Sequence, residues 1–310
     1  VGYLSRKYGL TIDHLLAAEI VTSNGQVLQV DAENHPDLFW AIRGGGGNFG
    51  EVTLFKNHLN PVDKIGGGYL ILPATPEIIT GYMTASQAAP NALSNISMVM
   101  SAPPMPFIPE VAHGKLILFG LFVYDGVADA GMQALAPFRA LAEPLADTLG
   151  PIRYIDMFPP EEDDYHPTAV GRTLFVDQID PQTAETIYHY IKNSDAIMRV
   201  AQIRVLGGAI ANVPNDATAY AHRQAKIMVN LGAFYDGPDE QVIRQKWVDE
   251  FATAINQNTA GAYVNFISDK RPGNLQSAYP PQTLARLQAI KARYDPTNLF
   301  RRNINIKPAG

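Results

Sequence analysis

The sequence predicts an α+β chain, and three observations carry that prediction. A hairpin, a short helix, a glycine turn and a further strand follow one another near the N-terminus without the strand–helix–strand alternation of a parallel sheet. The middle of the chain then offers long strand patterns separated by helices, as in an antiparallel sheet backed on one side. No internal repeat or low-complexity tract competes with either pattern.

Taken in order, Leu4 to Leu16 mixes a basic turn, Arg6-Lys7, with Gly9 as a helix C-cap and Thr11 or Asp13 opening a new segment. Ala18–Thr22 and Gln26–Val30 alternate about Ser23-Asn24-Gly25, and Asn-Gly is the strongest short hairpin signal. Asn34-His35-Pro36-Asp37 starts a helix through Ile42, and Arg43-Gly44-Gly45-Gly46-Gly47-Asn48-Phe49-Gly50 ends it. Glu51–Phe55 is β-branched and alternating, hence a strand. Gly66-Gly67-Gly68 marks a change of character and a candidate boundary. Beyond it, strands are expected at Tyr69–Leu72, Asn95–Met100, Lys115–Val123, Met198–Val205 and Lys226–Tyr235. Helices are expected at Pro76–Ala89, Val127–Leu141, Thr183–Lys192, Asp239–Asn256 and Arg286–Tyr294, with Ala142–Pro159 as a connection.

Composition narrows the partners. At 310 residues, 46% hydrophobic and 17% charged, the chain is long enough for one large or two ordinary domains with ample core. The net charge of −6, without a Lys/Arg cluster, argues against nucleic acid. No apolar run approaches the roughly 20 residues that span a bilayer, so no membrane partner is expected. The absence of cysteine excludes disulfides, thiolate metal sites and a cysteine nucleophile. Metal-ligand spacing is lacking among the seven His, and there is neither a phosphate-binding Walker pattern nor a G-x-S-x-G elbow. Val1-Gly2-Tyr3-Leu4 carries no initiator Met and no signal-peptide pattern, which leaves the compartment open; oligomeric state is open as well.

The glycine run demands close backbone approach, to a ligand or to another segment, because glycine is otherwise unfavourable in regular structure. Gly45-x-Gly47-x-x-Gly50 also satisfies the dinucleotide fingerprint, but that motif follows a strand and opens a helix. Here the glycines follow a helix and precede a strand, and no suitably placed acid lies about 20 residues on. A nicotinamide site is excluded on context.

Three stretches in order carry a family resemblance. GYLSRKYGLTIDHLLAAEIV leads into PDLFWAIRGGGGNFGEVT; LGGAIANVPNDATAYAHR comes next; and AYVNF is followed by ARYDPTNLFRRNINIKP. Together they resemble the berberine-bridge-enzyme-like group of FAD-linked oxidases, in the vanillyl-alcohol-oxidase superfamily with a PCMH-type FAD-binding domain. The resemblance runs the length of the chain. It implies that residues 1–65 are the second part of the FAD-binding domain, that 66–262 form an inserted substrate domain with an antiparallel sheet backed by helices, and that 263–310 return to the FAD domain. It further implies FAD as cofactor, a small-molecule substrate and O2 as acceptor. The activity implied is removal of a hydride from an alcohol or amine carbon of a carbohydrate, aromatic alcohol or secondary metabolite. Covalent attachment residues, if any, are expected upstream of Val1, with most of the first FAD part, so the chain alone is expected to bind FAD weakly or not at all. The alternatives are a flavin-free fragment acting as a binding module, or a dehydrogenase of the same fold that does not use O2.

The resemblance also nominates residues. In Tyr263-Val264-Asn265-Phe266, read as a strand, Tyr263 and Asn265 share a face. Tyr263 is the expected catalytic tyrosine, and the alternative is a core tyrosine with a satisfied hydroxyl. An unperturbed phenol has a pKa near ~10, so a role as base needs a nearby cation or relay. Asn265 would bond the isoalloxazine, or else its own sheet. Asn230 is the expected catalytic partner on the strand where Lys226, Met228 and Asn230 alternate with Ile227, Val229 and Leu231; an Asn is no general base, so proton removal falls to Tyr263. His222 reads as structural, and Lys226 as a solvated edge residue sooner than the required cation. Gly2, Gly44, Gly45, Gly46, Gly47, Asn48, Gly50 and Val52 would pass near the cofactor, the run from Gly44 also reading as a tight helix-to-strand turn. Arg6, Lys7 and Tyr8 lie near the flavin's other end or form a surface basic turn. Asp295, Pro296 and Asn298 read as capping residues, and Asn303 and Asn305 as a final strand touching the FAD domain.

Overall fold

The computed structural model describes residues 1–62, 64–158, 167–259, 261–267, 273–302 and 304–310. A short helix α1 (Ser5–Tyr8) ends at Gly9, whose φ of +93° suits glycine, as its place in the sequence suggests. The hairpin forms as β1 (Leu15–Val21) and β2 (Val27–Asp31), joined through Asn24-Gly25. Helix α2 (Pro36–Ile42) begins on its proline, and β3 (Glu51–Asn57) pairs antiparallel with β1, giving a three-stranded sheet in the order β2-β1-β3.

A second, eight-stranded sheet holds the rest. Its strands are β4 (Lys64–Pro73), β5 (Leu93–Ser101), β6 (Leu116–Tyr124), β7 (Ala146–Asp147), β8 (Gly150–Arg153), β9 (Ala169–Val176), β10 (Arg199–Val205) and β11 (Ile227–Phe234). They lie in the order β7-β4-β6-β5-β10-β11-β9, with β8 also on β4, and every pairing is antiparallel. Helices α3 (Pro76–Ala88), α4 (Ala128–Arg139), α5 (Pro181–Asn193) and α6 (Gln241–Ala254) cover one face. Tyr82, Phe138, Ile187 and Phe251 from those helices pack on Leu70, Phe122, Ala201 and Leu231 from the strands. Thr75 and Asp180 cap α3 and α5 by accepting from the amides of Ile78 and Thr183.

Near the C-terminus come α7 (Asn274–Ala278) and α8 (Pro281–Tyr294). Leu287, Ile290 and Tyr294 of α8, with Ile306, pack against Ala18, Ile20, Leu38 and Phe39, so the end of the chain closes the core of the small sheet.

Several expectations are corrected. Gly66–Gly68 lie inside β4 and not in a connection, and Gly68 at φ +128° passes so close to the Thr148 carbonyl that a Cβ would sit 2.6 Å from it. The break between the sheets falls earlier, between β3 and β4. The connection at 142–159 contains β7 and β8, and β9 was not anticipated at all; a glycine within β9 weakens its strand signal. Tyr263–Phe266 is no strand but a 3-10 turn over Val264–Phe266. Asn305 lies in irregular backbone, not in a final strand, and Asn303 lies outside the described residues.

Candidate active site

The site is built on the sheet face that the helices leave free. In β11, Ile227, Val229, Leu231 and Ala233 face the helix-backed core, which puts Met228, Asn230 and Gly232 on the opposite face, as the alternation predicts. Register then sets rows across four strands. Met98, Gln202, Asn230 and Thr173 stand side by side, and the next row is Met100, Val200, Gly232 and Gly171. All of these except Thr173 floor a cavity of about 410 Å3, closed on one side by Asn265, Phe266 and Ile267. A second cavity of about 430 Å3 shares Gly171, Phe266 and Ile267 and runs past His222, Thr259 and Ser277.

The turn at Tyr263 achieves what a strand was expected to do. Asn265 Nδ2 donates to Tyr263 Oη at 2.9 Å, and the Val1 nitrogen donates to the same oxygen at 3.2 Å. The Tyr263 ring stands edge-on to Tyr220 and Phe266, with centroids 5.9 and 5.2 Å away. Burial pushes the Tyr263 phenol up, while the Asn265 hydrogen bond and the charge of Arg204 pull it back down. Arg204, on β10, is therefore the cation near the tyrosine. Its Nε and Nη2 donate to Gln202 Oε1 at 3.2 and 3.0 Å, its Nη1 donates to the Val1 carbonyl, and its guanidinium lies over the Phe266 ring. Burial lowers the Arg204 pKa, and no carboxylate pairs with it among the described residues.

Of the nominated residues, the structure brings Asn230 and Asn265 to one cavity and attaches Tyr263 through Asn265. Lys226 lies apart, exposed and 3.6 Å from Asp177. His222 Nε2–H donates to the Ala278 carbonyl at 2.8 Å, its ring packs on Phe175, and burial lowers its pKa. Arg6 is buried and donates to the carbonyls of Ser86, Ala89 and Leu93, so it is no surface residue, while the half-buried Lys7 and Tyr8 engage Asp125. Asp295 is buried, accepts from the amides of Leu299 and Phe300, and pairs with Lys291.

The glycine loop stands away from the cavity and is packed largely against protein. Gly44, at φ +132°, comes so near Ala219-Tyr220 that a Cβ would lie 2.4 Å from the Tyr220 nitrogen. Gly45 faces the Ala41 carbonyl and Phe49, and Gly50 faces Ile20. Asn48 is buried; it donates to the carbonyls of Gly45 and Ile304 and accepts from the Ile306 amide. Gly46 and Gly47 are exposed, Val52 is half-buried on β3, and Gly2 is exposed. The loop reaches the site through Tyr220, whose ring meets Tyr263.

Gln202, Arg204, Tyr220 and Thr173 were missed by sequence reasoning. A signal existed for two of them: in β10 the polar Gln202 and Arg204 alternate with Ala201, Ile203 and Val205, which marks a strand with one wet face inside a core. Two buried hydroxyls, Tyr220 Oη and Thr173 Oγ1, have no hydrogen-bond partner among the described residues. No cluster suited to a metal ion occurs among the described residues, and none of their helices is long and apolar enough to cross a membrane.

Comparison with known proteins gives a consistent picture. Residues 262–307 match the family model for berberine and berberine-like proteins. The uncharacterized FAD-linked oxidoreductase YgaK of Bacillus subtilis (strain 168) is 26% identical, over 99% of this chain and 68% of its own length. The xylooligosaccharide oxidase of Thermothelomyces thermophilus is 28% identical, over 99% of this chain and 66% of its own. The solved structure of 6-hydroxy-D-nicotine oxidase from Arthrobacter nicotinovorans superposes with a TM-score of 0.83 at 22% identity, covering all of this chain and 69% of that one. The chain thus spans about two thirds of the length of the curated relatives it matches.

Proposed function

Taking this chain as a berberine-bridge-enzyme-like FAD-linked oxidoreductase, we propose that it serves an FAD-dependent oxidase, which removes a hydride from an alcohol or amine carbon of a small molecule and passes the electrons to O2. One observation carries this reading: the sheet-face cavity gathers Asn230 and Asn265, and Asn265 holds the Tyr263 hydroxyl at 2.9 Å. The similar oxidases named above act, by their names, on xylooligosaccharides and on a hydroxynicotine, which agrees with an alcohol or amine carbon as the reacting centre.

The residues present fit a flavin by the chemistry of their donor set. Asn265 is an exposed carboxamide, Tyr263 a phenol beside it, and Arg204 a half-buried cation with no carboxylate partner among the described residues, suited to a group that becomes more negative on reduction. Asn265 and Tyr263 would hold the cofactor's edge. The chemistry FAD supplies when bound is acceptance of the hydride and return of the electron pair to O2.

The protein's own task is the proton. As an alcohol carbon gives up hydride, its hydroxyl must lose a proton, and a carboxamide cannot take one. Tyr263 takes it as phenolate, a form that the Asn265 N–H and the Arg204 charge both favour against burial. Asn230 orients the substrate from the floor, and Phe266 and Ile267 exclude water from one wall.

The test begins with FAD titrated into the chain, followed by absorption and flavin fluorescence, then acid precipitation to separate bound from attached colour. Weak binding that saturates only at high FAD concentration is expected of this chain, and no uptake even there sinks the reading. Replacing Tyr263→Phe is expected to lower kcat/KM by about 10²–10⁴-fold. Because the phenol pKa is raised, the parent activity should still be climbing at alkaline pH, a limb that the variant loses.

A further inference from the structure

We propose, resting on the reading of the sheet-face cavity as the substrate site, that its substrate is a flat, neutral, mostly apolar alcohol of the aromatic or conjugated kind and not a sugar. Gly232 of β11 and Gly171 of β9 are direct register partners on the cavity floor, so two adjacent positions of the sheet carry no side chain. That bare patch accepts a ring lying flat on the backbone. Around it stand Met98, Met100, Met198, Val200, Phe234 and Phe266. Methionine thioethers are flexible and polarizable and settle favourably on aromatic faces.

The polar groups are few and specific. Among the described lining residues only Gln202, Asn230 and Asn265 have strongly polar side chains, and none is charged. A sugar bears a hydroxyl on nearly every carbon, and each one desolvated without a partner is unfavourable. A carboxylate or ammonium group would likewise find no counter-charge in the lining. Gln202 is in addition fixed in orientation: Arg204 occupies its Oε1 through two hydrogen bonds, which leaves Nε2 as a donor for one substrate oxygen. A single oriented donor at the edge of an apolar slot fits one hydroxyl on a ring-bearing carbon.

The probe is 4-methoxybenzyl alcohol, compared with xylobiose by saturation-transfer NMR and calorimetry on the chain, with and without added FAD. The alcohol is expected to bind at least about tenfold tighter than the disaccharide. Gly232→Val is expected to weaken the alcohol by about tenfold or more by filling the slot. A Cβ at Gly232 meets Val200 Cγ1 at 3.4 Å, an ordinary contact, so the melting temperature should hold, and Gly232→Ala serves if it does not. Gln202→Leu should weaken the alcohol but not 4-methylanisole, which lacks the hydroxyl. Xylobiose binding as tightly, no detectable alcohol binding, or indifference to both glycine variants overturns the proposal. Flavin titration of the same sample tests the oxidase reading separately, since the slot needs no flavin to receive the ring.

Discussion

The two sheets of this chain stay folded for different reasons. The eight-stranded sheet closes its own core: four helices cover one face, and Tyr82, Phe122, Phe138 and Phe251 are fully buried between them and the strands. The three-stranded sheet has α2 and α8 on one side only. Its β3 is exposed along nearly its whole length, and Leu54 and Phe55 are 55% and 60% exposed. What holds it to the rest is a set of buried polar ties across long sequence separations. Arg223, wholly buried, forks onto Asp13 at 2.7 and 2.8 Å and onto Thr218. Trp40 Nε1 donates to the Asp216 carbonyl, and within the small sheet's own layer Lys291 donates to the carbonyls of Asn48 and Phe300. The difference teaches that the large sheet rests on apolar packing against its own helices, whereas the small one adds to a one-sided apolar core a few buried charges that must each keep their partner.

The largest expected effect tests that contrast directly. Asp13→Ala leaves the Arg223 guanidinium buried and unpaired, which should lower stability by about 3–5 kcal/mol. Urea unfolding gives the loss, and hydrogen exchange should quicken first in β1 to β3; unchanged protection there breaks the comparison. A smaller effect should come from His222, which ties the entry to β11 to the Ala278 carbonyl. Burial lowers its folded pKa below the ordinary 6.5, so its contribution is complete above that value and is lost as pH falls through the folded pKa. His222→Gln should flatten the acid limb of the stability profile by at most about 1.4 kcal/mol per pH unit. An unaltered limb would assign it to other groups.

Thr75→Ala removes the N-cap of α3 and should cost about 1 kcal/mol, with exchange quickening confined to the helical layer of the large sheet. If β1 to β3 respond as well, the two regions are more strongly coupled than their packing implies. The smallest effect is expected for Phe55→Lys on the exposed strand. It should change stability by no more than about 0.5 kcal/mol while reducing binding of a hydrophobic dye. A large loss of stability would mean that this face is covered in solution.

The sequence by itself determined what depends on neighbours a few residues away. The Asn24-Gly25 turn carries its hairpin, Pro36 opens α2, Gly9 ends α1, and the alternation through β11 puts Asn230 opposite the core positions Ile227, Val229 and Leu231. The family resemblance was legible for a related reason, since it resides in contiguous motifs. The tertiary structure alone decided which local features meet. It made Tyr263–Phe266 a 3-10 turn, so that Asn265 reaches Tyr263 by folding back and not by sharing a strand face. It supplied Arg204 where Lys226 was the nearer candidate in sequence, and it set the Gly44 backbone against Tyr220. Periodicity fixes the face on which a side chain lies, but strand order and register fix its neighbours across the sheet. Gly171 and Gly232, or Gln202 and Asn230, become partners only when β9, β11 and β10 have paired, and no local pattern in the chain encodes that choice.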